Sequence, residues 1–186
     1  MKEIEILVKL KDSKEKTLQA LKQFTSHGVK SILDIYFYDP LRTELQPDTN
    51  MRLRNCLRLR KKEGKFYLAY KIDYFDNDDQ WTYSDEHETS VGDFETIMNI
   101  LKNLGFRELV RIDNKKYTFS TPEYEIVFED VQNLGFFLEV EKLRKVADNK
   151  VAKTKQEIRQ FIQELGLHVD EELNAGKPEL MLKQKK

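Results

Sequence analysis

The chain has 186 residues, enough for one domain with a buried core, and 35% of them are charged. Thirty-two basic residues against 33 acidic ones leave a formal net charge of −1. That balance argues against a general nucleic-acid coat or a binder of acidic membranes, both of which need a basic excess. The one cysteine, Cys56, excludes an internal disulfide and fits a reducing compartment. No stretch approaches the length of a transmembrane helix, and Met1-Lys2-Glu3 leads straight into a patterned segment with no apolar signal region. The expectation is a folded cytoplasmic protein without a membrane or nucleic-acid partner.

The stretch from Glu3 to Leu10 alternates with period 2 and reads as a strand. Ile4, Ile6, Val8 and Leu10 share one face; Glu3, Glu5, Leu7 and Lys9 share the other. Asp12 or Ser13 can cap a helix whose stripe is Leu18, Leu21 and Phe24, with Gly28 in the left-handed position that ends it. Ile32 to Asp39 reads as a strand closed by Pro40, and Leu41 to Met51 as a loop. Cys56 to Arg60 and Phe66 to Ile72 form a hairpin about Glu63-Gly64. Asp73 to Asp79 is an acidic loop, and Thr82 to Thr89 a polar strand with Glu86 and Glu88 on one face.

A second helix begins near Asp93, carries Phe94, Ile97, Met98, Leu101 and Leu104 at helical spacing, and ends at Gly105. Leu109 to Phe119, Glu123 to Glu129 and Phe136 to Glu141 are three further strands. A third helix spans about Lys150 to Leu165, and a short helical piece lies near Glu179 to Leu182. Eight strands, mostly hairpin-linked, with three main helices predict an α+β fold. Its sheet is antiparallel, closed or nearly closed into a barrel with helices packed outside, in a single domain over 1–186.

Parity assigns the polar faces. Arg58 goes with Arg60, Lys71 with Tyr67, Glu86 with Glu88, Glu125 with Glu129, and Glu139 with Glu141. If these faces converge inside a barrel, the interior is dense in carboxylates with a few cations among them. Each such charge, buried unpaired, costs several kcal/mol, so the interior must be wet or filled by a ligand of matching charge. Carboxylate pairs suit a hard divalent cation such as Mg²⁺ or Mn²⁺. Arg58, Arg60 and Lys71 suit phosphate. A metal-bound polyphosphate carries both. The same alternation also describes a solvated sheet face with cross-strand ion pairs worth about 0–1 kcal/mol each, and pattern alone leaves both readings open. No Gly-rich phosphate loop is present, and His27, His87 and His168 have no partner at ligand spacing. Cys56 reads as a small core residue, and Trp81 and the eight tyrosines as packing.

The order of the motifs is specific. A paired-Glu first strand is followed by Asp34-Ile35-Tyr36-Phe37-Tyr38-Asp39, Leu57-Arg58-Leu59-Arg60 and a strand bearing Lys71. Then come Glu86-His87-Glu88, Leu104-Gly105-Phe106 and Leu134-Gly135-Phe136-Phe137-Leu138-Glu139-Val140-Glu141. This order resembles the CYTH family, the triphosphate tunnel metalloenzymes, over nearly the whole chain. The resemblance implies an eight-stranded antiparallel, tunnel-like β-barrel acting with a divalent metal on a triphosphate-containing small molecule. The reactions it implies are hydrolysis of inorganic, thiamine or nucleoside triphosphate, or cyclisation of ATP as in class IV adenylyl cyclases.

By that resemblance Glu3, Glu5, Glu139 and Glu141 hold Mg²⁺ or Mn²⁺. Arg58, Arg60 and Lys71 hold phosphate, with Lys9 and Lys116 as further substrate ligands. Glu5, Glu129 and Lys71 are the expected catalytic groups, Glu129 standing where the family commonly has Asp. Four departures thin the cationic half of this site. Leu7 replaces the first-strand lysine, with Lys9 one step further along the same face. Asn114 and Lys116 stand where a Lys and an Arg are usual, and an Arg often found near Glu86 is missing. Gly176-Lys177-Pro178 replaces a Ser-Tyr element. Hydrolysis is preferred to cyclisation because it needs no adenine pocket. A non-catalytic binder of triphosphate or metal is the third reading, and a homodimer is compatible with the sequence.

Overall fold

The computed structural model describes residues 4–77, 80–144, 146–147 and 150–184. The chain divides into two compact units, one formed by residues 1–30 and 114–173, the other by residues 31–113 and 174–186. Nine strands and four α-helices are present among the described residues, with every pairing below antiparallel. The α+β class is the one the hydrophobic pattern predicts. No helix among the described residues is long and apolar enough to cross a membrane.

The first unit holds β1 (Glu5–Leu10), α1 (Lys14–Leu21), the opening residues of β2 (Thr25–Tyr38) and the closing residues of β6 (Arg107–Ser120). It continues with β7 (Tyr124–Val131), β8 (Gly135–Lys142), α3 (Val151–Glu164) and β9 (Val169–Glu172), in the strand order β6-β7-β8-β1-β9. Ile4, Ile6, Val8 and Leu10 are buried as the alternation requires, and pack with Ile126, Phe128, Leu138 and Val140. Leu21 of α1 and Ile158 and Ile162 of α3 cover them. Each fully buried side chain of this size stabilises the fold by about 1.5–3 kcal/mol. The two helices thus take one face of the sheet and leave the other to the charged residues.

Two expectations fail here. α1 stops at Leu21 and does not reach Gly28, which lies inside β2 with φ +86°. Tertiary packing decides this: Phe24 turns toward Phe161 of α3, with ring centroids 5.9 Å apart, instead of completing a helical stripe. The strand count is nine, because β9 adds to β1 through Val8↔Glu172 and Leu10↔Val169. Its sequence, Val169-Asp170-Glu171-Glu172, carries no alternation to announce it. Its Glu172 is instead pinned by Lys155 (2.9 Å) and Arg159 (2.7 Å) of α3.

The second unit holds the rest of β2 and β6, β3 (Asn55–Lys62), β4 (Lys65–Phe75), β5 (Trp81–Val91), α2 (Phe94–Asn103) and α4 (Lys177–Gln184). A short 3₁₀ turn, Thr43–Leu45, lies in the loop after β2. The strand order is β5-β4-β3-β2. The turn between β3 and β4 is Glu63-Gly64, both at positive φ (50° and 76°), the type I′ geometry that matches the twist of a hairpin. β4 runs to Phe75, into the stretch expected to be loop. α2 is capped by Asp93, which accepts the Thr96 N–H at 2.7 Å. It ends in a Schellman motif in which the N–H groups of Gly105 and Phe106 donate to the carbonyls of Lys102 and Leu101. Met98 and Leu101 of α2 cover Ile35, Phe37 and Leu59, so in this unit too one sheet face is apolar and the other polar.

Candidate functional site

In the first unit, register turns the sequence pattern into rows across the strands. Glu5 lies opposite Glu141, Glu141 opposite Glu125, and Glu125 opposite Ser120. The next row is Leu7, Glu139, Val127 and Thr118, and the third is Lys9, Phe137, Glu129 and Lys116. Directly opposed residues in an antiparallel pair have Cβ atoms about 4.5–5.5 Å apart, and like charges so placed repel. Three half-buried glutamates in one row bring carboxylate oxygens together across the strands. Glu3 lies outside the described residues.

The third row holds a buried ion pair. Glu129 is fully buried; Lys116 Nζ lies 2.7 Å from its Oε1, and Asn114 Nδ2 donates to its Oε2 at 2.8 Å. Lys116 also stands 4.0 Å from Glu139. Asn114 is 4% exposed, and its Oδ1 is buried without a hydrogen-bond partner. Lys9 sits in the Phe137 row, its Nζ 5.9 Å from that ring, two residues along the strand from the position of Leu7 beside Glu139.

The second unit gathers the expected phosphate ligands on one face. Arg58 lies between Tyr36 and Ala69, Arg60 between Asp34 and Tyr67, and Lys71 between Cys56 and Glu86. Each cation already has an internal acid. Arg60 forks onto Asp34 through Nε (2.7 Å) and Nη2 (2.8 Å). Arg58 Nη2 donates to Glu86 at 2.6 Å and to Glu88 at 3.0 Å, while its Nε is buried with no acceptor. Lys71 stands 3.4 Å from Asp73, and its Nζ is 5.6 Å from the Trp81 ring. The Ser84 hydroxyl donates to Asp73, and Trp81 Nε1 to Ser84 Oγ at 3.1 Å.

These contacts set the charge states. Burial opposes the Arg58 charge, but Tyr36, Asp34 and Glu86 outweigh it, so the guanidinium is held on more firmly than usual. Arg60 shifts the same way, its burial outweighed by the hydrogen bond to Asp34. Burial, then Asp34, pushes the Tyr36 phenol up. Burial, then Asp73, pushes the Cys56 thiol up to about 12, which leaves it a neutral, inert packing group. Asp34, Tyr36 and Asp73 were missed by sequence reasoning as members of this face. The signal for two of them was present: Asp34 and Tyr36 alternate with the core residues Ile35 and Phe37.

The family model of the CYTH domain matches residues 1–174. The chain belongs to the CYTH family. A relative in Methanocaldococcus jannaschii, described as a candidate adenylate cyclase, is 31% identical over 173 residues, which span 91% of this chain and 93% of that one. A solved structure from Pyrococcus horikoshii superposes with a TM-score of 0.78 at 22% identity, covering 98% of this CYTH protein and 99% of the other. A candidate adenylyl cyclase from Hippeastrum, described as having a dominant triphosphatase activity, superposes with a TM-score of 0.72 at 15% identity, covering 99% and 96%. At those identities the two structures speak for the fold.

The donor chemistry of this CYTH chain fits a hard divalent cation. The first unit offers carboxylate oxygens from Glu5, Glu141, Glu125 and Glu139, and at the end of the Glu5 row His27 Nε2 lies 2.7 Å from the Ser120 hydroxyl. Among the described residues no group of three or more His, Cys, Asp or Glu side chains is already drawn together around one point.

Proposed function

We propose that this protein is a metal-dependent phosphohydrolase acting on a triphosphate-containing substrate: inorganic, thiamine or nucleoside triphosphate. The observation that carries the reading is the in-register row Glu5, Glu141 and Glu125, which lines up carboxylate oxygens, the ligands a hard divalent cation takes. Glu5, Glu139 and Glu141, with Glu3, are the proposed ligands of Mg²⁺ or Mn²⁺, which would supply charge neutralisation to the phosphate oxygens.

The chain's own residues do the rest. Arg58 and Arg60 grip phosphate oxygens through their planar forks, and Lys71 adds a point charge. Lys9 and Lys116 are the proposed additional anion contacts, with Glu129 fixing the position of Lys116 (2.7 Å). A carboxylate of the Glu5 face orients the attacking water, while Glu129 acts through Lys116. The water oxygen bonds to the terminal phosphorus and gives up a proton to the orienting carboxylate, the bond to the bridging oxygen breaks, and diphosphate, thiamine diphosphate or the nucleoside diphosphate leaves, with positioning and charge stabilisation doing the catalytic work. Adenylyl cyclisation is the second reading, favoured by the description of the M. jannaschii relative at 31% identity. Hydrolysis comes first because its nucleophile is water and needs no second pocket.

The test is incubation with Mg²⁺ or Mn²⁺ and tripolyphosphate, thiamine triphosphate or ATP in turn, following phosphate, diphosphate and cyclic AMP. Phosphate release that Glu5→Ala abolishes is the expected result. Cyclic AMP with diphosphate would favour the cyclase, and thermal stabilisation without product a binding protein. No binding of any triphosphate would refute the proposal.

A further inference from the structure

Arg58 and Arg60 of the second unit are held by very different acids. Asp34 is 7% exposed and takes the Arg60 fork with both oxygens, so it has nowhere to go. Glu86 and Glu88 lie on the exposed strand β5, with side chains 37% and 35% exposed, while that of Arg58 is only 11% exposed. They reach Arg58 from two strands away. The row Arg58, Ala69, Glu88 explains how: the residue between them has only a methyl group, so both long side chains meet above β4. Glu86 is in register with Lys71, yet its Oε1 leans to Arg58, and Lys71 turns to Asp73. Both carboxylates use the same Nη2 corner, and the buried Nε is left without an acceptor.

Resting on the triphosphate reading above, we infer that Glu86 and Glu88 are affinity-setting residues: an internal anion at the Arg58 corner that a phosphate oxygen needs. The exchange is one-sided. Released carboxylates on β5 regain water, whereas Arg58 stays buried and charged and needs a new anion. Arg60 is the fixed member of the pair and Arg58 the exchangeable one. The two acids lower affinity for weakly charged anions and leave the site to polyanions dense enough to displace them, so they select triphosphate over monophosphate.

The test is calorimetric titration of the full chain with tripolyphosphate and with orthophosphate, free of divalent ions. The proteins are wild type, Glu86→Gln, Glu88→Gln, the double variant, and Asp85→Asn. The last removes one charge from the same strand at a position in register with Ile72, on the opposite face. Far-UV circular dichroism confirms that each is folded. Exposed ion pairs of this kind set the scale, so each Gln should tighten tripolyphosphate binding about threefold and the pair about tenfold. Orthophosphate should gain by a larger factor, and Asp85→Asn should do little. If Asp85→Asn tightens binding as much as the double variant, the effect is net charge and the inference fails. If the Gln variants bind more weakly than wild type, the carboxylates serve the ligand and the inference is overturned while the triphosphate reading stands. If no protein binds, with or without Mg²⁺, both fall.

Discussion

Glu129→Gln isolates one charge in a fully buried setting. Glu129 is 0% exposed; its two oxygens face Lys116 Nζ at 2.7 Å and Asn114 Nδ2 at 2.8 Å. Glutamine has the same shape. A rotated Asn114 amide, whose Oδ1 is without a partner, can accept from the new NH₂ group while the amide oxygen stays on Lys116. The hydrogen bond to Asn114 is kept and the ionic attraction to Lys116 is lost. Deleting one member of a buried pair costs about 3–5 kcal/mol, but the Lys116 side chain is 23% exposed and can draw on water. Hydrogen bonds to charged groups are worth about 1.5–3 kcal/mol. The expected loss is therefore about 2 kcal/mol, or roughly 1 M in the urea midpoint at unchanged slope for a small protein. Far-UV circular dichroism is the signal to follow, because the one tryptophan, Trp81, lies in the other unit. Lys116→Met alone should cost more, since it strands a buried carboxylate, and the double variant should recover part of the loss. A change below about 0.5 kcal/mol for Glu129→Gln, or a double-mutant cycle with no coupling, would refute the pair as described.

Leu7→Lys places an ammonium directly opposite Glu139 and should tighten triphosphate binding roughly tenfold, the worth of one charge-assisted contact; unchanged affinity in calorimetry would show that Leu7 does not thin the site. Leu59→Ala removes a side chain with no exposure between β2 and β4, and should cost about 2–5 kcal/mol in chemical denaturation. The pH dependence of stability should carry two opposite signatures. Burial raises the Glu179 carboxyl despite the Leu53 and Gly176 N–H groups, so its contribution is present below the ordinary glutamate value of 4.5 and is lost as pH rises through the raised one. Asp12 is lowered to about 2, chiefly by the His168 N–H, so its contribution is present above its ordinary value of 3.8 and is lost as pH falls through about 2. Glu179→Gln should flatten the first trend in thermal melts across the acid-to-neutral range and leave the second untouched.

Much of the architecture was legible in the residues. Alternation in Glu3 to Leu10 sorts the buried apolar set from the charged set, because side chains on a strand point to opposite faces with period 2 and one face is taken by helices. The Glu63-Gly64 turn and the Gly105 cap were readable for a similar reason: positive φ is a local demand, and local demands leave local signals. Gly28 shows the limit. It carries the same local signal, yet sits in a strand because Phe24 is bound by a residue 137 positions away in sequence (161 − 24).

What the sequence determined on its own is therefore which side chains are polar, which share a face, and which motifs follow one another. Only the tertiary structure decided who faces whom. Register set Glu5 beside Glu141, gave Arg60 to the buried Asp34, and lodged Glu129 against Lys116. It also left Arg58 with two exposed acids that reach it over Ala69. Pairing between strands distant in sequence is not encoded at any one position. It emerges from the joint burial of the apolar faces, and the charges opposite them take whatever neighbours that burial supplies.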